Sequence, residues 1–403
     1  MNGDDTARFR DPAFVVLLGA VFTMPFSFPV SRVLLAIATS AVLVRGIRES
    51  RLPTVPAVAW CAAFFVALTC VVTLNGVHPA LGVPKLRKLL WFVAIPVAAA
   101  VVTSRRRLWD VLTAWALGGA VLAVYVLVHN PLEAHAAWRA GSFATFGAAL
   151  IDAGSMTNGQ RLVLALVAAL AVAVRRRGGR RRDGWAAVAV MLVVAALVLN
   201  LKRGSWLSAC AVVGLLVVVR TGWKGAVLAV GVVLLALSLP FVRIRLAALR
   251  TEFEDPHGGR MTMWTQVAPA LVRRYPWGVG FRSLTNDMMR EIAPDVEPGR
   301  DHLHGNIPQV LVATGWCGLG AYALWMLCAL RDAWRFLRGT AGRDPPEHLA
   351  ALALALMLVA LLLNGLVEYN LADAELVLGY GFLMGSLAAG ARRHGDARTA
   401  GAS

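Results

Sequence analysis

Long apolar runs separated by short clusters of arginine set the pattern of this chain from its first residues to its last. The runs reach the roughly 20 residues that an α-helix needs to cross a hydrocarbon core about 30 Å thick. Read between charge clusters, they predict about twelve membrane-spanning helices and an all-α, polytopic membrane protein. The predicted spans centre near residues 20, 38, 64, 95, 118, 168, 192, 212, 233, 318, 358 and 382. One stretch has a different period. In 260–274, Met263, Trp264, Val267, Ala268, Leu271 and Val272 recur at helical spacing, between Gly258–Gly259 and Pro276. That pattern predicts an amphipathic helix lying on the membrane surface, with Trp264 and Trp277 as interfacial anchors.

Composition supports this class. The chain is 58% hydrophobic, with a mean hydropathy of +0.64. Cys61, Cys70, Cys210, Cys317 and Cys328 all fall inside apolar runs, which suggests small reduced core residues and no disulfide or zinc site. The first apolar run lacks a small-residue cleavage site after it, so it reads as a retained helix.

The formal charge of +17 could point to nucleic acid, but its distribution gives a simpler account. With the N-terminus in the cytoplasm, alternate loops carry 23 lysines and arginines on the cytoplasmic side and 8 in the short loops opposite. Positive loops stay inside. Both termini are therefore expected in the cytoplasm, the basic balance is explained by topology and anionic lipid, and no nucleic-acid partner is needed. One transmembrane domain, residues 1–403, is expected, with residues 243–305 as a single long periplasmic loop.

Polar groups able to do chemistry gather on the outer side. DHLHGN (301–306) places Asp301, His302 and His304 just before the tenth span, with Asn306 a plausible N-cap and Pro308 in the first turn. Position alone leaves the histidines as interfacial loop residues or as a site. A metal site of His302, His304 and His257 or Asp301 is weakly signalled. Leu311, Gly315 and Gly318 form a strip below His304 that would admit a neighbouring helix.

NLKRGSWLS (200–208) puts Lys202 and Arg203 at a tight outer hairpin, where arginine either snorkels to headgroups or grips a diphosphate with its planar fork. Arg260 opens the amphipathic helix, where the helix dipole disfavours a cation. Such a placement marks a functional candidate. Lys85, Arg87 and Lys88 in PKLRKLLW (84–91), together with Arg282, add outer cations suited to lipid headgroups or a ligand phosphate. Glu368 and Asn370 lie at another outer helix end without an assignable role. The middles of the spans are almost free of charge. A lipid-linked or anionic solute transporter, which keeps polar groups near the midplane, fits this less well than an enzyme does.

Three motifs together resemble the bacterial O-antigen ligase and polymerase superfamily. HGNIPQVLVATGWCGLG (304–320) is similar to its histidine signature, in register at His304, Gly315 and Gly318, although Gly305 departs from the polar residue expected after the histidine. RGSWL (203–207) resembles its Arg-x-x-x-Leu element. RMTMWTQVAPALVRRYPWGVGF (260–281) resembles its Arg-led helix running into Pro-x-Gly-x-Gly. The resemblance implies glycosyl transfer at the periplasmic face of the inner membrane. The donor would be a glycan on undecaprenyl diphosphate, and the acceptor a sugar hydroxyl of lipid A–core. His304 would be the general base, and Arg203 and Arg260 the diphosphate clamp. Lys85, Arg87, Lys88, Lys202, Arg282 and His302 would hold headgroup or diphosphate. Neither a cofactor nor a metal is implied. The Arg-x-x-x-Leu element and the single long outer loop favour ligase over polymerase.

Overall fold

The structure, a computed structural model, describes residues 11–50, 52–175, 184–238, 242, 243, 247, 259–296, 299 and 301–400. Arg8, Arg10, Arg51, Arg176, Arg177, Arg180–Arg182, His257 and residues 248–258 of the long outer loop lie outside them. The described residues are helical, with no strand among them.

In chain order the helices are α1 (Pro12–Thr23), α2 (Phe28–Arg48), α3 (Ala57–Leu74), α4 (Ala94–Val101), α5 (Arg105–Arg139), α6 (Phe146–Ala153), α7 (Met156–Val174) and α8 (Gly184–Leu199). They continue with α9 (Arg203–Thr221), α10 (Trp223–Ser238), α11 (Arg260–Arg274), α12 (Asn286–Ile292), α13 (Asn306–Thr340), α14 (Pro345–Val367) and α15 (Ala374–Ala400). Each predicted span centre falls in a helical segment. Among the described residues, eight helices are long and apolar enough to cross a membrane: α2, α3, α5, α7, α9, α13, α14 and α15. The helices at the other four centres are shorter. The segment around residue 95 enters α4 through 3-10 turns at Val83–Val93, where Leu86, Leu89 and Phe92 turn inward. Their spacing of three is the period of a 3-10 helix, and Lys85 and Lys88 share another ridge. Segment 129–160 takes in the far end of α5, then α6 and the first turn of α7.

α15 is the axis of the bundle, its apolar stretch almost wholly buried. Small residues let neighbours close on it. A Cβ on Gly385 would stand 2.4 Å from the Ile95 carbonyl oxygen, so only glycine allows α4 so near. Trp325 fills the middle, packed against Phe65, Phe92 and Tyr380.

Polar contacts divide between the two ends. At one, Asp11 caps α1 and pairs with Arg107 at 2.8 Å and Arg45 at 3.3 Å. There too Arg105 pairs with Asp344, and Arg393 reaches Glu347 at 2.6 Å. This is the arginine-rich end that the charge bias assigns to the cytoplasm. The beginnings of α7, α9, α13 and α15 and the end of α14 meet at the opposite end. Thr157 donates to Asp373 at 2.6 Å there, and Lys88 to the Ala372 carbonyl at 2.7 Å.

Candidate active site

α11 forms as its spacing predicts, interrupted by a π turn at Met263–Val267. Met263, Val267, Ala268 and Leu271 turn inward onto Leu284, Met289, Leu303 and Val312, a small core separate from that of the bundle. Trp264 does more than anchor an interface. Its indole N–H lies 2.8 Å from the carbonyl oxygens of both Leu303 and His304. Gln309 accepts from the Leu303 N–H at 2.8 Å. The loop is thereby fixed at the two residues before Gly305. His304 itself holds a left-handed φ of 44°, uncommon for a side-chain-bearing residue.

α13 begins at Asn306, with Gly305 at the cap position, so Asn306 is inside the helix and is not its N-cap. The helix breaks at Gly315 (φ 67°, ψ −171°). The break frees the carbonyls of Val312 and Ala313, which accept from the N–H groups of Val279 and Gly280 at 2.9 Å each. A Cβ on Gly315 would meet the Pro276 oxygen at 2.4 Å, and one on Gly278 the Ala313 oxygen at 2.5 Å. The Pro-x-Gly-x-Gly loop and the Gly-x-x-Gly of α13 are thus two halves of one joint. What approaches Gly315 is a loop, whereas the small-residue strip predicts a helix. Its backbone groups need the acceptors that a helix keeps for itself.

The joint holds His304 over the end of α14. Nδ1 of His304 lies 3.5 Å from Oε2 of Glu368, and Oε1 of Glu368 lies 2.6 Å from a terminal guanidinium nitrogen of Arg260. Arg260 is 6% exposed and Glu368 7%. Burial pushes the His304 imidazole below its ordinary 6.5, opposed by the hydrogen bond to Glu368. Burial alone would raise the Glu368 carboxyl, but His304 and Arg260 outweigh it and hold the group below its ordinary 4.5. The site at neutral pH is a neutral imidazole, a carboxylate and a guanidinium. Nδ1 faces the carboxylate, so a proton held there leaves Nε2 as the unprotonated nitrogen. Sequence reasoning left Glu368 without a role. Its one local signal is being an acid at a helix end on a face rich in cations.

The other predicted residues fall into separate places. Arg203 starts α9 beside this cluster. A Cβ on the adjoining Gly204 would lie 3.4 Å from Oδ1 of Asn364 and 3.6 Å from Val367, the residue before Glu368. His302 pairs with Asp301 (Nδ1 to Oδ1 2.9 Å), and its ring centroid is 4.4 Å from that of His304. Each histidine has its own carboxylate, and the described residues hold no group of three or more His, Cys, Asp or Glu placed for a metal ion. Arg282, at a φ of 54°, lies 3.7 Å from Asp301. Lys202 donates to the Ile151 carbonyl at 3.0 Å, tying down α6. Lys88 is half-buried on Ala372, while Lys85 and Arg87 are exposed.

Next to His304 lies an apolar groove of about 700 Å³, lined by Trp264, Ala268, Val272, Pro308, Leu311 and Leu366 among others. It runs between α11 and the first half of α13.

Among the described residues, eight apolar helices long enough to span a membrane, with a largely shielded histidine–carboxylate–arginine cluster beside an apolar groove at one end, describe a multi-pass membrane protein with one candidate catalytic centre. Residues 188–323 match the sequence profile of the family described as O-Antigen ligase. That match supports membership of the O-antigen ligase superfamily and, with it, an enzyme of the ligase or polymerase type in lipopolysaccharide biosynthesis that takes a lipid-linked glycan. The matched span takes in Arg203, Arg260 and His304 and ends before Glu368. No curated protein matches the chain.

Proposed function

We propose that the protein is an O-antigen ligase of the bacterial inner membrane. It moves a glycan from undecaprenyl diphosphate to a sugar hydroxyl of lipid A–core at the periplasmic face. The observation that carries this reading is the half-buried, carboxylate-paired His304 beside an apolar groove. Nε2 of His304 takes the proton of the acceptor hydroxyl as its oxygen attacks the anomeric carbon. The bond from that carbon to the diphosphate oxygen breaks, and its electron pair leaves with the diphosphate. Glu368 orients the imidazole and stabilises the imidazolium. Arg203, at the mouth of the cluster, takes the developing charge of the leaving group. Arg260 keeps Glu368 ionised and turns its remaining donors toward the same oxygens. Lys85, Arg87, Lys88, Arg282 and His302 lie on the flank where anionic headgroups would gather. The polyprenyl chain occupies the α11–α13 groove. Single displacement inverts the anomeric centre, and the cations make a metal unnecessary.

The test is a reconstituted reaction of undecaprenyl-diphosphate glycan with lipid A–core in EDTA, with wild type and His304→Ala side by side. Glycosylated lipid A–core from wild type alone is the expected result. A lengthened donor glycan in its place makes the enzyme a polymerase. Retained anomeric configuration, or activity lost to EDTA and restored by a metal, overturns the mechanism.

A further inference from the structure

We propose that Asn306 and Asn370 are positioning residues whose reciprocal side-chain clasp sets His304 against Glu368. Asn306 stands two residues after His304, and Asn370 two after Glu368. Nδ2 of Asn306 donates to Oδ1 of Asn370 at 2.6 Å, and the Asn370 backbone N–H donates to Oδ1 of Asn306 at 3.0 Å. The clasp is anchored from behind. Nδ2 of Asn370 donates to the Leu361 carbonyl at 3.0 Å, and the Tyr380 hydroxyl donates to Oδ1 of Asn370 at 3.3 Å. Both asparagines are 1% exposed, so neither can touch a substrate.

Two glycines make the clasp possible. A Cβ on Gly365 would lie 2.3 Å from Nδ2 of Asn306, and one on Gly305 would lie 2.9 Å from the Leu366 oxygen. Glycine at both positions brings the first turn of α13 against the last turn of α14. Buried amides need partners, and these find them chiefly in each other, so sliding α13 along α14 by part of a turn would strand several polar groups at once. His304 and Glu368 leave the clasp in the same direction, separated from it by Gly305 and Tyr369. The clasp thus fixes a contact that their own 3.5 Å separation holds only loosely. Misplacement by about 1 Å is enough to cost a catalytic group on the order of 100-fold in rate.

This inference rests on His304 acting as base through Glu368, and a double-mutant cycle separates the two claims. Asn306→Ala, Glu368→Gln and the double variant are assayed with undecaprenyl-diphosphate oligosaccharide and lipid A–core, alongside a thermal melt of each. Asn306→Ala is expected to lower kcat about 10- to 100-fold, the range for losing a supporting residue, with the donor KM little changed. The double variant is expected to be no slower than the slower single one, because both act on one pair. Multiplying effects, or a loss confined to KM, would overturn the clasp. A fully active Glu368→Gln would overturn the underlying reading, whatever Asn306→Ala does. If Asn306→Ala does not fold, Tyr380→Phe removes one bond from Asn370 at nearly constant shape. It should slow kcat a few-fold in wild type and not at all in Glu368→Gln, and wild-type kcat in Tyr380→Phe would overturn the proposal.

Discussion

Nδ1 of His304 faces Oε2 of Glu368 across 3.5 Å at a helix end, with both side chains largely shielded from water. A buried imidazole without such a partner would be free to turn either nitrogen toward the substrate. The carboxylate selects one tautomer, and so one basic nitrogen.

Glu368→Gln keeps the shape of the contact and removes its charge. The expected loss in kcat is on the order of 100- to 1,000-fold, within the range a positioned general base supplies. Product formation under saturating donor measures it. The fold should be retained.

The pH profile carries the signature of burial. Because burial holds the His304 pKa below 6.5, the acid limb of kcat/KM should have its midpoint below pH 6.5. Removing Glu368, which raises that pKa, should move the acid limb to still lower pH while the plateau drops. Stability follows the same pair. Glu368, with its folded pKa depressed, stabilises the fold fully above its ordinary 4.5, and that contribution is lost as pH falls through the folded value. Melts carried from pH 7 to well below 4.5 would record it.

Arg260→Ala leaves a buried carboxylate without its cation. Breaking one side of a buried pair costs about 3–5 kcal/mol, so this variant should melt well below wild type, whereas His304→Ala should not. Arg203→Ala, at the partly exposed start of α9, should lose activity with little change in melting.

Gly315→Ala tests the helix break. A side chain at φ 67° costs about 1–2 kcal/mol, and its Cβ would strike the Pro276 oxygen. Both melting temperature and activity should fall, because the break holds the loop that supports His304.

Leu311→Trp tests the groove. Filling it should raise the KM for a full-length polyprenyl donor and leave a short-chain donor almost unaffected. Equal effects on both would remove the groove from the lipid path.

The all-helical character, the positions of the apolar helices, and the α11 helix are legible in the sequence. Each follows from a period or a charge count within one segment. The buried face at Met263, Val267, Ala268 and Leu271 is the one that helical spacing predicts. His304, Arg203 and Arg260 stand out for related local reasons: a rare residue type, a cation at a hairpin, a cation against a helix dipole.

Tertiary structure alone decides which groups meet. Glu368 becomes the partner of His304 because α14 ends where α13 begins, and no local pattern records that. Asn306 caps nothing because Gly305 and Gly365 let it turn inward to Asn370. Lys202 and Lys88, expected as ligand cations, each also donate to a backbone carbonyl, of Ile151 and Ala372, since buried backbone oxygens at loop ends need donors. Hydrophobic periodicity acts between neighbours along the chain, so the sequence writes it openly. The register of one helix end on another depends on close packing between segments far apart in sequence, and it appears only once the bundle has closed.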